Sequence, residues 1–214
     1  APGAKDNVAK GILYRALAYI YATIFDTDNA EKYINLAKAC YTKAQDFEKY
    51  ADALIFSATN LHAKGRINEA CACLDSVRLL WDKISESQKN NYYTMSMSMM
   101  IETGDRDGLA HMLDEYLSAF SPDGVDWLYI SEYAAFLGRH PLAEDAMRQY
   151  RKQDPNYNND AAYHICAYKF HEAAGDYKAA FESLLRYSEL SDSLSIEVAR
   201  HDTGFLKERY EKEL

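Results

Sequence analysis

The sequence is poor in the two residues that interrupt helices. Only four prolines and nine glycines occur among its 214 residues, too few for a loop-rich β-protein and typical of long helices. Hydrophobic residues make up 48% of the chain, so a substantial core can form. Basic runs are also missing: no stretch of five or more Lys and Arg occurs, and the formal net charge is -9. Because a phosphate-binding footprint is absent, we expect no direct contact with nucleic acid.

Sequence signatures of catalysis and metal binding are equally sparse. The chain has no CxxC pair, no HExxH motif, no GxSxG motif and no glycine-rich phosphate loop. Asp202-Thr203-Gly204 matches the catalytic tripeptide of aspartic proteases, but that chemistry needs two such carboxylates and only one copy is present. Cys71 and Cys73 lie two apart on a predicted helix, so we expect buried filling rather than a shared metal. We therefore expect no catalytic residue, no metal and no cofactor, and predict that the chain is not an enzyme.

Long hydrophobic runs are also absent. No apolar stretch reaches 18 residues, and the longest candidate, ILYRALAYIYATIF, is interrupted by Arg15, so we expect no membrane span. The chain starts at Ala1 without an initiator Met, which leaves open a removed leader or an excised fragment. The compartment is not determined, although we favour the periplasmic side of a membrane-anchored signalling protein over the cytoplasm.

What the sequence does contain is a recurring glycine between apolar helical stretches. Gly65, Gly104, Gly138 and Gly175 follow one another at intervals of 39, 34 and 37 residues. A unit of this length with a turn at its middle is typical of an array of helical hairpins. Each hairpin has an apolar face that it cannot bury alone, so neighbouring hairpins must stack.

Aligning the chain on these glycines reveals a finer register. The same residue classes recur five, nine and twelve positions after the glycine and eleven before it, as expected for the facing stripes of two antiparallel helices. The members are Ala70, Ala143 and Ala180; Leu74, Leu113, Met147 and Leu184; Val77, Tyr116, Tyr150 and Tyr187; and Leu54, Tyr93, Trp127 and His164. Phe25 occupies the glycine slot of the first unit. In the third, Leu109 stands where the alanine is expected.

The register divides the chain into five helix pairs. Their spans are residues 6–46, 47–86, 87–122, 123–157 and 158–192, which together form one repeat domain over residues 1–192. Residues 193–214 are predicted to be a charged C-terminal helix, a linker to a downstream region that is absent from the sequence.

Several of these motifs resemble the tetratricopeptide repeat family. GDYKAAFESLLRY at 175–187 is similar to its glycine–aromatic–small motif, and LGRHPLAEDAMRQYRKQDP at 137–155 resembles the second half of a repeat. The resemblance covers roughly residues 8–190 and implies an all-α fold, a right-handed superhelical α-solenoid of about five antiparallel helix pairs plus a C-terminal helix. The terminal RHDTGFLKERYEKEL resembles the linker after repeat-type sensor domains of bacterial signalling proteins.

The resemblance also implies a concave groove whose wall comes from the first helix of each pair. Carried over by offset from the glycine, the groove residues are Ile55, Thr59, His62, Thr94, Ser98, Leu128, Glu132, Ile165, Lys169 and Glu172. Family members that clamp a peptide carboxylate use Lys and Asn at such places. Here only Lys169 is basic, so we do not expect a carboxylate clamp.

The resulting functional prediction is a non-enzymatic module that binds a protein or peptide partner, as the sensory or scaffolding part of a larger bacterial signalling or regulatory protein. The 18 tyrosines suit either inter-helix packing or peptide recognition. Two alternatives stay open: a small-molecule sensor with a pocket of Tyr, His and Glu, and an assembly adaptor that forms a homodimer through the C-terminal helix.

Overall fold

The computed structural model describes residues 2–191, and every regular element in that range is helical. This confirms the all-α class. The predicted C-terminal helix at 193–214, with its Asp-Thr-Gly tripeptide, lies outside the described residues.

Ten α-helices and three short 3₁₀ turns occupy the described range. The helices are α1 (Pro2–Thr23), α2 (Thr27–Ala44), α3 (Phe47–Ala63), α4 (Ile67–Arg78), α5 (Glu86–Thr103), α6 (Arg106–Ala119), α7 (Trp127–Phe136), α8 (His140–Gln153), α9 (Ala161–Ala173) and α10 (Tyr177–Leu190). They fall two by two in the five spans of the glycine register, with ends that differ by a few residues. The 3₁₀ turns lie between pairs, at Trp81–Lys83, Pro122–Gly124 and Tyr157–Asn159.

The same turn joins the two helices of every pair. At Gly65, the glycine N–H donates to the His62 carbonyl (2.8 Å) and the next N–H donates to the Leu61 carbonyl (2.9 Å). This Schellman pattern needs a residue in the left-handed region, which glycine enters without steric cost. In the turns within the five pairs, the residues in that region are Gly65, Gly104, Gly138 and Gly175, with φ of 71–77°, and Phe25, with φ of 59°. The assignment of Phe25 to the glycine slot is therefore confirmed.

Aspartate follows the left-handed residue in most of these turns. Asp26, Asp105 and Asp176 each accept a hydrogen bond from the backbone N–H three residues on, and so cap the second helix of their pair. Arg66 and Arg139 stand in the same slot without a side-chain cap. They instead form ion pairs with the second helix of an earlier pair: Arg66 with Glu31 of α2, and Arg139 with Asp114 of α6.

Phe25 offers a direct test of this turn. Its side chain is 79% exposed, so its ring contributes little burial, whereas a left-handed backbone costs a non-glycine residue about 1–2 kcal/mol. We expect Phe25→Gly to raise the free energy of unfolding by about 0.5–1 kcal/mol, after the extra entropy of the unfolded glycine chain is subtracted. Denaturant unfolding measures the change.

The matched control is Gly65→Ala. No heavy atom lies within 4 Å of an added Cβ at Gly65, so only the backbone strain changes, and we expect a loss of about 1 kcal/mol. Two changes of the same sign would contradict the assignment of both residues to one turn type.

The chain divides after Met99 into two compact units, and the division falls within α5. In unit 1 (residues 1–99), α1 packs against α2, α2 against α3, and α3 against α4. Since α1–α2 and α3–α4 are joined by short turns, each of these pairs is an antiparallel hairpin. A core cluster of unit 1 comprises Ala18, Ile34, Ala37, Tyr41 and Ala53.

In unit 2 (from residue 100), α7 packs against both α8 and α9, and α9 packs against α10. Its core cluster comprises Leu128, Met147, Tyr163, Cys166 and Ala167. The repeat register is buried as predicted at its alanine and leucine slots, since Ala70, Ala143, Ala180, Leu74, Leu113, Met147 and Leu184 are all at most 6% exposed. The prediction that Cys71 and Cys73 fill the core is wrong for Cys71, which is exposed on the outer side of α4. Cys73 is only partly buried.

Within unit 2, two of the register tyrosines link one hairpin to the next through hydrogen bonds. The Tyr116 hydroxyl accepts a hydrogen bond from the backbone N–H of Asp126 (2.8 Å), the residue before α7. The Tyr150 hydroxyl donates to the carboxylate of Asp160, the residue before α9. Both tyrosines stand twelve residues after their glycine. At these two positions the slot therefore links a second helix to the start of the following first helix.

Candidate functional site

The predicted groove residues of unit 2 lie on two neighbouring first helices, α7 and α9. Glu132 of α7 and Lys169 of α9 form an ion pair, with 2.6 Å between Lys169 Nζ and Glu132 Oε1. The two residues are 37 apart in sequence and both stand six residues before the glycine of their own pair. Equivalent positions of successive repeats are thus brought together across the α7–α9 contact.

The electrostatics of this pair favour its charged form. Burial lowers the pKa of Lys169, but the charge and the hydrogen bond of Glu132 raise it by more, so the pKa ends above its ordinary value. Lys169 is therefore protonated at neutral pH. The Lys169 side chain is 43% exposed and that of Glu132 is 16% exposed, so the lysine is the more accessible member of the pair.

Cys166 lies beneath the pair, with its Sγ 3.9 Å from Glu132 Oε2. Burial, together with the negative charge of Glu132, raises the pKa of Cys166 to about 12. Since the thiolate is the reactive form of cysteine, this thiol is not activated at neutral pH. The arrangement provides charge and hydrogen bonds rather than a nucleophile.

Tyr129 completes the exposed surface and was missed by the sequence analysis. It lies one helical turn before Glu132 on α7, is 41% exposed, and its ring stacks on Tyr133 with centroids 6.1 Å apart. Burial raises the pKa of Tyr129, and the charge of Asp126 adds to this. The sequence feature that could have identified Tyr129 is its position three residues before Glu132, which places both on one face of a helix. We call Tyr129, Glu132 and Lys169 the α7–α9 surface.

The other predicted groove residues of unit 2 are placed differently. Leu128 is only 6% exposed and belongs to the core cluster with Met147 and Tyr163, which corrects its assignment to a groove wall. Ile165 is half-buried and packs against that cluster. Glu172 is half-buried on the last turn of α9.

In unit 1 the predicted groove residues lie on α3 and α5. The Thr59 hydroxyl donates to the Ile55 carbonyl of its own helix (3.2 Å) and lies 3.4 Å from the sulfur of Met95, which places α3 beside α5. The Thr94 hydroxyl donates to carbonyls of α5. His62 and Ser98 are half-buried. None of these five side chains is an acid, a lysine or an arginine, so this part of the predicted groove is far less charged than the α7–α9 surface.

Unit 1 contains cavities between its described helices. One of about 290 Å³ lies among α2, α3 and α4, next to Lys38, whose pKa is lowered by burial. Another, of about 350 Å³, is lined by residues of α1, α2, α3 and α5. Across residues 2–191 no group of three or more His, Cys, Asp or Glu side chains is placed to hold a metal ion. In the same range no helix combines the length and the apolar character needed to cross a membrane.

Comparison with known proteins adds no relative. No protein-family model, no curated protein and no solved structure matches the chain. The resemblance to the tetratricopeptide repeat family therefore stays a prediction.

Proposed function

We propose that the chain is a non-enzymatic, tetratricopeptide-like module that binds an extended protein segment or peptide. The observation that carries this proposal is the α7–α9 surface, where an exposed tyrosine adjoins a Glu–Lys pair that spans two neighbouring first helices. Aromatic residues next to partly desolvated charges are the side chains that contribute most to protein recognition.

The repeated architecture supports the same proposal. Identical turns, hairpins that pack on their successors, and tyrosines that link successive hairpins are features expected of a solenoid. We propose that the helix pairs stack into a right-handed superhelix and that the first helices form its binding wall. We further propose that the module serves a larger bacterial signalling or regulatory protein, on the resemblance of the segment after residue 192.

A peptide selection tests the proposed surface. Peptides selected from a random phage-displayed library against the whole chain are expected to lose about tenfold or more in affinity on Tyr129→Ala and on Glu132→Lys, because each change removes a recognition group from the α7–α9 surface. Isothermal titration with the selected peptides measures the change. The matched control is Asp145→Lys, which breaks the exposed Asp145–Arg148 pair on the second helix α8, and we expect less than about a twofold effect there.

A charge swap separates recognition from folding. The double variant Glu132→Lys/Lys169→Glu keeps an ion pair between α7 and α9, so its melting temperature is expected to match the wild type. Its peptide affinity is expected to stay low, because the exposed charge is reversed. Selected peptides that bind the α7–α9 variants as tightly as the wild type would contradict the proposal, as would a selection that yields no binder.

A further inference from the structure

Helix α1 leaves an apolar face open to solvent. Leu13, Leu17, Ile20 and Ile24 are each 37–66% exposed, and we call these four residues the α1 stripe. They follow one another at intervals of four, three and four residues, which places them on one side of the helix and of the turn that ends it. Large apolar side chains in such an arrangement normally pack against another element.

The equivalent positions of the later repeats are covered. Leu13, Leu17 and Ile20 stand twelve, eight and five residues before the left-handed residue of their turn. At these offsets all three residues of α3 and of α5 are buried, and so are two residues each of α7 and α9: Ala53, Ser57, Asn60, Tyr92, Ser96, Met99, Ile130, Tyr133, Tyr163 and Ala167. For α3 and α9 the cover comes from the preceding hairpin, through the contacts α2–α3 and α7–α9. The α1 stripe is therefore a helix-packing face that no described helix covers.

The stripe carries no charge that would repel a copy of itself. Between residues 11 and 25 only Arg15 is charged, and it lies on the other side of α1, where it pairs with Asp52 of α3 (3.0 Å). One turn before the stripe, Lys10 and Asp6 neutralise each other (2.8 Å). An interface between two identical chains must be self-complementary. The α1 stripe meets this condition, because it is uncharged and its intervals are the same when read in either direction.

The open apolar area reaches what a stable dimer needs. Large apolar side chains present roughly 150–200 Å² when fully exposed, so the exposed fractions of the α1 stripe amount to about 400 Å². On the neighbouring side of α1, the exposed parts of Ile12 and Tyr19 add about 200 Å². The small residues Ala9 and Ala16 lie exposed between these two groups and allow a second helix to approach closely. Two copies would together bury about 1,200 Å², the lower limit for specific, stable protein–protein interfaces.

We propose that α1 packs against α1 of a second copy of this chain, related by a twofold axis, with the α1 stripes at the centre of the interface. In this dimer each stripe supplies the cover that a preceding hairpin supplies to α3 and α9. The proposal does not depend on the α7–α9 surface, and it places the dimer contact on a different segment from the homodimer predicted through residues 193–214.

Sedimentation velocity of the whole chain over a micromolar concentration series tests the proposal. The wild type is expected to reach twice the mass of one chain at the upper end of the series. Leu13→Arg/Ile20→Arg places two charges in the stripe, so the dissociation constant of the dimer is expected to rise about a hundredfold or more. Both side chains are more than half exposed in the single chain, so the melting temperature of the monomer is expected to stay unchanged. The matched control is Leu79→Arg after α4, at an even more exposed leucine outside the stripe, and its effect is expected to be less than about twofold.

A wild-type chain that stays monomeric throughout the series would overturn the proposal, and binding of that monomer to phosphatidylcholine vesicles would assign the stripe to a lipid surface instead. A dimer that persists in folded Leu13→Arg/Ile20→Arg would overturn it too. Leu206→Arg is expected to leave the dimer intact, and dissociation by this change would place the interface after residue 191 and contradict the α1 contact. Should the α1 variant not fold, amide hydrogen exchange of the wild type decides. Exchange in α1 is expected to slow several-fold as the dimer forms while exchange in α4 stays the same, and an unchanged rate in α1 would overturn the proposal.

Discussion

Replacing Gly11 by alanine is expected to destabilise the protein by about 1–3 kcal/mol, although alanine is the better helix former. The added Cβ would lie 2.4 Å from Cε1 and 2.8 Å from Cδ1 of the Tyr41 ring. That ring is 1% exposed and belongs to the core cluster with Ile34, Ala37 and Ala53. Because a well-packed core does not yield freely, relief requires a shift of the ring or of α1.

The same substitution at Gly3 provides the control within the same helix. No heavy atom lies within 4 Å of an added Cβ at Gly3, so only the helix propensity changes, which favours alanine by at most about 1 kcal/mol. In calorimetric and denaturant unfolding, Gly11→Ala is expected to lower the free energy of unfolding and Gly3→Ala is expected to raise it. Stabilisation by Gly11→Ala would show that α1 does not approach α2 as closely as the structure places it.

The glycine register predicted most of the fold because each turn has a local cause. A left-handed glycine and, in most turns, a following Asp cap lie within a few neighbouring residues. Phe25 could be assigned without a glycine because the residues before and after it keep the offsets of the other units. Gln45 was not predicted, although it takes the same left-handed conformation (φ 55°) between α2 and α3. Asp46 after it caps α3, as Asp26 after Phe25 caps α2. The reason it was missed is that Gln45 lies between two pairs, where the register has no glycine slot to mark the turn.

The candidate site followed from the sequence only where repeat equivalence applies. Glu132 and Lys169 occupy the same slot of successive pairs, so their side-by-side placement could be predicted. Leu128 could not be assigned correctly, because it lies at the edge of the apolar stripe. Whether an edge position is covered depends on the neighbouring side chains of α8 and α9, such as Met147 and Tyr163.

The hydroxyl of Tyr41, unpartnered within residues 2–191, was outside the reach of sequence reasoning for a different reason. The ring that carries it is packed between helices, and an added Cβ at Gly11 of α1 would meet it at 2.4 Å. A residue pattern records that Tyr41 is suited to a core position. It does not record whether the buried hydroxyl finds a hydrogen bond, which depends on the position of every nearby polar atom.

For that reason, two tyrosine-to-phenylalanine substitutions are expected to change the free energy of unfolding differently. Tyr116→Phe should cost about 1–2 kcal/mol, since it removes the acceptor of the Asp126 N–H at the start of α7. Tyr41→Phe should be neutral or stabilising by up to about 1 kcal/mol, since it removes a buried hydroxyl with no partner in the described residues. Both rings are at most 1% exposed, so the change in apolar packing is the same in the two variants. Denaturant unfolding at neutral pH measures both.

The loss of stability at alkaline pH provides a second, independent measurement on the same two variants. Burial raises the pKa of Tyr41 and of Tyr116 from the ordinary value of 10.0 to about 12. Between these values the unfolded chain loses a proton that the folded chain keeps, so stability falls as pH rises. Each Phe variant should therefore lose less stability than the wild type between pH 10 and 12. If Tyr41→Phe proved as costly as Tyr116→Phe at neutral pH, the Tyr41 hydroxyl would have to be satisfied by bound water.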